Sequence, residues 1–358
     1  MLVAGGVLVC AAVVVIILAP MKREAERQII KAPGLVIVPT MLDTLSSDTA
    51  WCGTFQLVWN DMKNEVVGGD VTYTPQIAMA ENLNKETFTA DMLSDEYYYK
   101  NWGKKTLELK AEIERGIKEK FGETSDILDD FDWSEEALDD SGPDRYFFYV
   151  MLKRKFEYPK VFTRLEEGDF NGKGGVRYFG VDVTTKSDVK KQVKVLYYNS
   201  DEDFAIMVKT KGDDELVFVK NPEGNTFSAI YDEVERRADK FAGVKSLEEM
   251  DELKIPDLDF DEKRVFEEFE GLKFPIRDGG VGEIIKAIQT IKFSLDEKGG
   301  EVKSEAGMDF VATSAPSDPP TPRYFYLNNT FAMFIREKGQ PQPYFAARVD
   351  DIEKFQSK

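Results

Sequence analysis

Apolar positions along the chain repeat in two ways. Phe55, Trp59, Met62 and Val66 recur at helical spacing between Gly53 and the Gly68-Gly69 pair, which predicts an amphipathic helix. Leu107, Ile113 and Ile117 predict a second helix from about 106 to 121, stopped by Gly122. Beyond residue 145 the pattern changes to short apolar runs, which read as strands at 146–152, 193–198, 204–209, 216–219, 253–260, 287–295, 324–336 and 344–349. Two further helices are predicted among them, at 227–241 and 263–272. Helices mainly in the N-terminal half, followed by runs of strands, predict an α+β fold and not a doubly wound sheet.

Residues 2–19 are of a different kind, 18 positions with no charge or strongly polar group, followed by Pro20, Met21 and the basic residues Lys22, Arg23 and Arg27. This run is long enough to span a bilayer. It has neither a basic start nor a clear small-x-small cleavage site, so 1–21 reads as a transmembrane anchor or uncleaved signal. A buried core helix is the alternative. With Met1 as the start, the positive-inside rule puts the body in the cytoplasm; with basic residues upstream, it lies on the extracytoplasmic side. Residues 22–48 read as a linker holding a short strand at 35–38, and 49–358 as one folded domain.

The 47 basic and 66 acidic residues give a net charge of −19, which repels polyanions and argues against nucleic acid as a partner. The chain contains no histidine, which removes Ser-His-Asp and Cys-His catalysis and imidazole metal sites together. Cys10 and Cys52 lie too differently placed to pair, and Cys52, between Trp51 and Gly53, reads as a buried small hydrophobe. No enzymatic site, cofactor or metal is predicted.

Three motifs are set aside. An EF-hand loop starting at Asp130 would place Glu135 where glycine is required, so the acidic stretch reads as a solvated loop. The fragments 172–175 and 279–282 are glycine-rich but lack phosphate-cradling spacing, and read as turns. Asn328-Asn329-Thr330 is a glycosylation sequon leading straight into an apolar strand.

The last seventy residues are more specific. Residues 287–295 followed by Asp296-Glu297-Lys298-Gly299-Gly300-Glu301 resemble the strand and Glu-Glu-Gly-Thr-Glu hinge before the reactive loop of the serpins. Asn329-Thr330-Phe331-Ala332-Met333-Phe334-Ile335-Arg336 is similar to that family's Pro-Phe-Leu-Phe-Phe-Ile-Arg strand, and Tyr344-Phe345-Ala346-Ala347-Arg348-Val349 to its terminal strand. Upstream, Leu152-Lys153-Arg154-Lys155-Phe156-Glu157 resembles Phe-Lys-Gly-Lys-Trp-Glu, 117–128 resembles the helix ending in Gly-x-Ile-x-Asp-Leu, and Leu253-Lys254-Ile255-Pro256 resembles the Ser-Leu-Pro-Lys strand. The resemblance covers about 107–350; the helical N-terminal region is shorter than in the family.

The resemblance implies a large mixed sheet, an exposed reactive-centre-like loop at 297–322, and a monomeric inhibitor of a serine or cysteine protease. In such a protein the cut loop enters the main sheet as a new strand. Glu297, Gly299, Gly300, Glu301, Val302, Ser304 and Ala306 would form the hinge, and family spacing puts the reactive bond at Thr313-Ser314. Because successive strand residues face opposite sides, Gly300, Val302, Ser304, Ala306, Met308 and Phe310 would share the buried face, and none is charged. Gly300, Val302 and Lys303 replace the small alanine and threonine residues usual in inhibitory members. A non-inhibitory serpin-like binding or structural module at a membrane is therefore the second reading.

Overall fold

Strands β1 (Val36–Ile37) and β2 (Thr49–Cys52) precede helix α1 (Thr54–Met62), which widens into a π turn over Lys63–Val67. Helix α2 (Ala78–Lys85), strand β3 (Tyr98–Lys104), helix α3 (Leu107–Phe121) and strand β4 (Tyr146–Leu152) follow. Short strands β5 (Thr163–Arg164), β6 (Gly168–Phe170), β7 (Lys173–Val176) and β8 (Tyr178–Val181) lead to the single-turn helix α4 (Ser187–Lys190). A meander of β9 (Val193–Ser200), β10 (Asp203–Lys209) and β11 (Asp214–Lys220) runs into helix α5 (Phe227–Lys240). Then come β12 (Glu252–Pro256), β13 (Leu258–Val265), the hairpin β14 (Lys273–Pro275) and β15 (Val281–Glu283), and β16 (Ile288–Leu295). Strands β17 (Tyr324–Tyr326), β18 (Phe331–Glu337) and β19 (Phe345–Val349) complete the chain. This computed structural model describes residues 35–135, 138, 144–299 and 321–356.

The fold is α+β. A mixed seven-stranded sheet has the order β1-β2-β19-β18-β11-β10-β9, antiparallel except for the β1–β2 pair. Every residue from Phe331 to Ile335 and from Leu216 to Val219 is buried, because β18 and β11 have partners on both edges and cover on both faces. Helix α5 seals one face with Phe227, Ile230, Tyr231 and Val234, spaced i, i+3, i+4, i+7, and starts at Thr226, whose hydroxyl accepts from the Ala229 amide. A second sheet, β17-β12-β8-β5, packs beside it.

Several expectations are revised. Residues 35–48, read as linker, are part of the folded unit, which begins at Leu35: Leu35, Ile37, Val38 and Met41 are core residues. The helix expected over 263–272 is absent, because alternation from Leu258 continues into it and pairs Lys263 with Thr290 and Val265 with Ile288. Only a 3-10 turn at Glu267–Phe269 remains of it. The strands expected at 253–260 and 324–336 are each two strands, divided at Asp257 and at residues 327–330. Helix α3 has the expected span, but Leu109 and not Leu107 joins Ile113 and Ile117 in the core; Leu107 is the first residue after the Thr106 cap and 59% exposed. Among the described residues no helix is long and apolar enough to cross a membrane; the apolar run 2–19 lies outside them.

Candidate functional site

Outside the two larger sheets the strands form four two-stranded pairs, and two of these pairs are long. β3 pairs with β4, Tyr98 opposite Leu152 through Lys104 opposite Tyr146, and β13 pairs with β16, Leu258 opposite Leu295 through Val265 opposite Ile288. Among the described residues β4 has no partner but β3, and β16 none but β13. A cavity of about 1740 Å³ lies between them. Every residue of β4, and of β16 up to Ser294, lines it, whereas β3 contributes only Trp102 and β13 only Asp259 to Asp261. The cleft is therefore bounded by the two free strand edges, each a row of backbone N–H and C=O groups.

The two faces of β4 are covered differently. Phe147 and Tyr149 join Leu109, Ile113 and Ile117 of α3 and Leu128 in a small separate core, while Val150 and Leu152 pack against the main core. Phe55, Val58 and Trp59 of α1 line the cleft from that second side. β16 is tied down by Gln289, whose amide donates to the Cys52 carbonyl (2.9 Å) and the Thr54 hydroxyl (3.0 Å), and by Phe293, stacked on Phe345 at 4.6 Å. Cys52 is buried as expected; burial raises its thiol pKa, so it is a poor nucleophile.

The described start of the predicted hinge, Glu297 to Gly299, lies at one end of the cleft. After Leu295 the chain reverses in a tight turn in which the Asp296 and Gly299 amides each donate to the other's carbonyl at 3.3 Å. The turn docks on the segment after β4: the Tyr158 amide donates to the Lys298 carbonyl (3.1 Å), the Phe162 amide donates to the Glu297 carbonyl (2.9 Å), and Gly299 bridges Glu157. Gly299 has φ +111°, and a Cβ there would lie 2.5 Å from the Phe156 carbonyl oxygen, so only glycine fits. Glu297 pairs with Arg164, which also binds Asp257 at 2.6 and 2.7 Å. Burial raises the Asp257 pKa, and Arg164 opposes the rise. The remaining hinge candidates, Gly300, Glu301, Val302, Ser304 and Ala306, and the reactive-bond candidates Thr313 and Ser314, lie outside the described residues.

The far end of the 297–322 segment is clamped as well. The Arg323 amide donates to Asp251 Oδ1 (3.0 Å) and its guanidinium to Asp251 Oδ2 (2.6 Å) and the carbonyls of Val244 (3.0 Å) and Ser246 (2.7 Å). Arg154, within the Leu152–Glu157 motif, is buried between Asp214 (2.7 Å) and Glu337, beneath Tyr344, whose hydroxyl donates to Asp214 (2.9 Å). It fixes the end of β4 to β11 and β18. Sequence reasoning did not find Arg164, Asp257, Asp251 or Arg323 in these roles. The partners are far apart in the chain and no local pattern joins them.

The motifs set aside are structural here. Asp130 pairs with Lys263, and among the described residues no three acidic or thiol groups converge as a metal site. Gly172 and Gly279 occupy tight turns, and Asn328 of the sequon accepts from the buried Lys220 ammonium at 2.9 Å.

No protein-family model matches the chain, and no curated protein matches it. Solved structures of serpins do. Serpin48 of the insect Tenebrio molitor is 16% identical over 82% of this chain and 78% of its own, with a TM-score of 0.37. Thyroxine-binding globulin in complex with thyroxine is 13% identical over 68% of this chain and 64% of its own, with a TM-score of 0.41. SRPN18 from Anopheles gambiae is 14% identical over 67% of this chain and 64% of its own, also at 0.41. The chain thus spans just under two thirds of the last two.

Proposed function

We propose that this protein is a serpin-like protease inhibitor that offers residues 297–322 as bait and, once cut, takes the freed segment into the cleft as a strand between β4 and β16. The carrying observation is the pair of facing, unpaired strand edges with the Asp296–Gly299 turn seated where they end. That turn reverses the chain after β16, so a following strand would run antiparallel to β16. The uncharged alternate residues Gly300 to Phe310 suit its buried face.

The target would be a serine or cysteine protease with a small specificity pocket. Its hydroxyl or thiol attacks the Thr313 carbonyl carbon, the bond to Ser314 breaks, the Ser314 amine takes the proton, and an ester or thioester to the inhibitor remains. Insertion before hydrolysis would trap that linkage. A seven-residue strand bonded to both edges would gain on the order of 10 kcal/mol at about 1 kcal/mol per net hydrogen bond.

Incubation with elastase-, subtilisin- and papain-like proteases tests this. A denaturing gel should show a covalent band at the summed mass, and the cut protein should melt ~20 °C higher. Cleavage near Thr313 with neither result would overturn inhibition and leave the non-inhibitory module, which Gly300, Val302 and Lys303 favour. We further propose that residues 2–19 tether the body to a membrane, on its extracytoplasmic side. Detergent, but not alkaline carbonate, should then release the protein from vesicles; release by carbonate would remove the tether.

A further inference from the structure

The segment following α3, residues 123–133, lines the same cleft and touches both halves of the split sheet in different ways. On the β4 side apolar packing dominates, beside the Tyr149 hydroxyl donating to Ser125 Oγ (3.3 Å), the Lys153–Glu123 ion pair and the Lys105 ammonium donating to the Asp132 carbonyl. Leu128 is buried against α3, and Phe131 and Trp133 pack edge-on against Phe147 of β4 at 4.8 and 5.0 Å. The Trp133 indole donates to the Leu128 carbonyl at 2.7 Å, and Lys110 of α3 reaches Asp129 at 2.7 Å. On the other side the contacts are ionic or polar. Lys292 of β16 meets Asp126 at 3.2 Å, Lys263 of β13 grips both oxygens of Asp130 at 3.0 Å, and the Lys286 ammonium donates to the Asp130 carbonyl at 2.7 Å.

We infer that residues 123–133 are an ionic strap across the cleft, bolted to β4 by apolar packing and tied to β13 and β16 by Lys263, Lys286 and Lys292, so that ionic strength governs how readily the cleft widens. The two ends differ physically. Side chains in the crossing pairs are about a third to a half exposed, the range in which ion pairs are weak and readily screened. The screening length falls from about 30 Å at 0.01 M salt to about 3 Å at 1 M. Apolar packing around Phe147 is not weakened by that change. Widening the gap between β4 and β16 breaks the crossing pairs and leaves the β4 end in place. Neither Lys110–Asp129 nor Lys292–Asp261 (3.1 Å) spans the gap, so neither resists it.

The test is hydrogen exchange on the full chain at 10 mM and 0.5 M salt, in the native protein and in Asp126→Asn/Asp130→Asn. Native amides in 123–133 and β16 should exchange about fivefold faster at high salt. The variant should exchange fast at both salts, with Trp133 emission unchanged throughout. A salt-independent native protein, a variant that keeps the native salt response, or a shift of Trp133 emission would overturn the strap. Its effect on strand uptake rests on the inhibitor reading and is measured separately, as the rate at which the cut protein gains thermal stability at each salt. Salt-dependent exchange with no gain at any salt would uphold the strap and sink insertion.

Discussion

β18 in the seven-stranded sheet and β4 beside the cleft are both continuous apolar runs, Phe331-Ala332-Met333-Phe334-Ile335 and Tyr146-Phe147-Phe148-Tyr149-Val150-Met151-Leu152. Such runs are what fully covered, centrally placed strands require. β18 has that setting, with β11 on one edge and β19 on the other and nothing of the run exposed. β4 does not: of its seven residues only Phe147 and Tyr149 are buried, and one edge is unpaired. Its composition is that of a central strand missing a neighbour. The difference lies in the available partner and not in the residues.

That contrast can be broken most severely in the closed sheet. Phe334→Ala should cost about 3–5 kcal/mol, since it empties a fully enclosed site beneath Phe227 and Tyr231. Val150→Ala, beside the cleft, should cost about 1 kcal/mol. Urea unfolding of both variants checks this, and equal losses would mean the cleft is as tightly packed as the sheet.

A smaller effect sits where the two regions join. Arg264 of β13 donates to the Ile37 carbonyl of β1, and near it lies Asp43. Burial raises the Asp43 pKa to about 6, against hydrogen bonds from Asn82 (2.9 Å) and the Thr40 amide (3.1 Å) and attraction to Arg264, with Glu86 adding to the rise. The folded state therefore holds this proton more tightly than the unfolded chain. Its contribution is fully present below about pH 4 and is lost as pH rises through about 6. Between pH 7 and pH 5 the native protein should gain about 1 kcal/mol from this group. Asp43→Asn should flatten that gain in parallel denaturation curves; an unchanged slope would assign it elsewhere.

Much of the closed sheet was legible in the chain, because β9, β10, β11 and β19 are local apolar runs with clear punctuation. The split sheet was less so. β13 carries Asp259 and then Asp261, Glu262, Lys263 and Arg264 in a row, and Phe266, Phe269 and Leu272 at helical spacing tempt a helix; pairing with β16 decides otherwise. β3, with Lys100, Asn101 and Gly103, has no strand signature apart from its partner β4. Residues 296–301 carry the motif from which a hinge is expected, but the surroundings of the Asp296–Gly299 turn have no local signal: Arg164 and Asp257 are set beside Glu297 by the folded chain alone.

Strands β18 and β19, downstream of the 297–322 segment, lie inside the seven-stranded sheet, and Arg323 is anchored to Asp251 ahead of them. A nick in that segment would divide the covalent chain without dividing the molecule. The C-terminal piece is held to the rest by the β18–β11 and β19–β2 ladders, so it would stay bound through dialysis and gel filtration and come away only on denaturation. By native mass alone, the cut and uncut proteins would be the same particle.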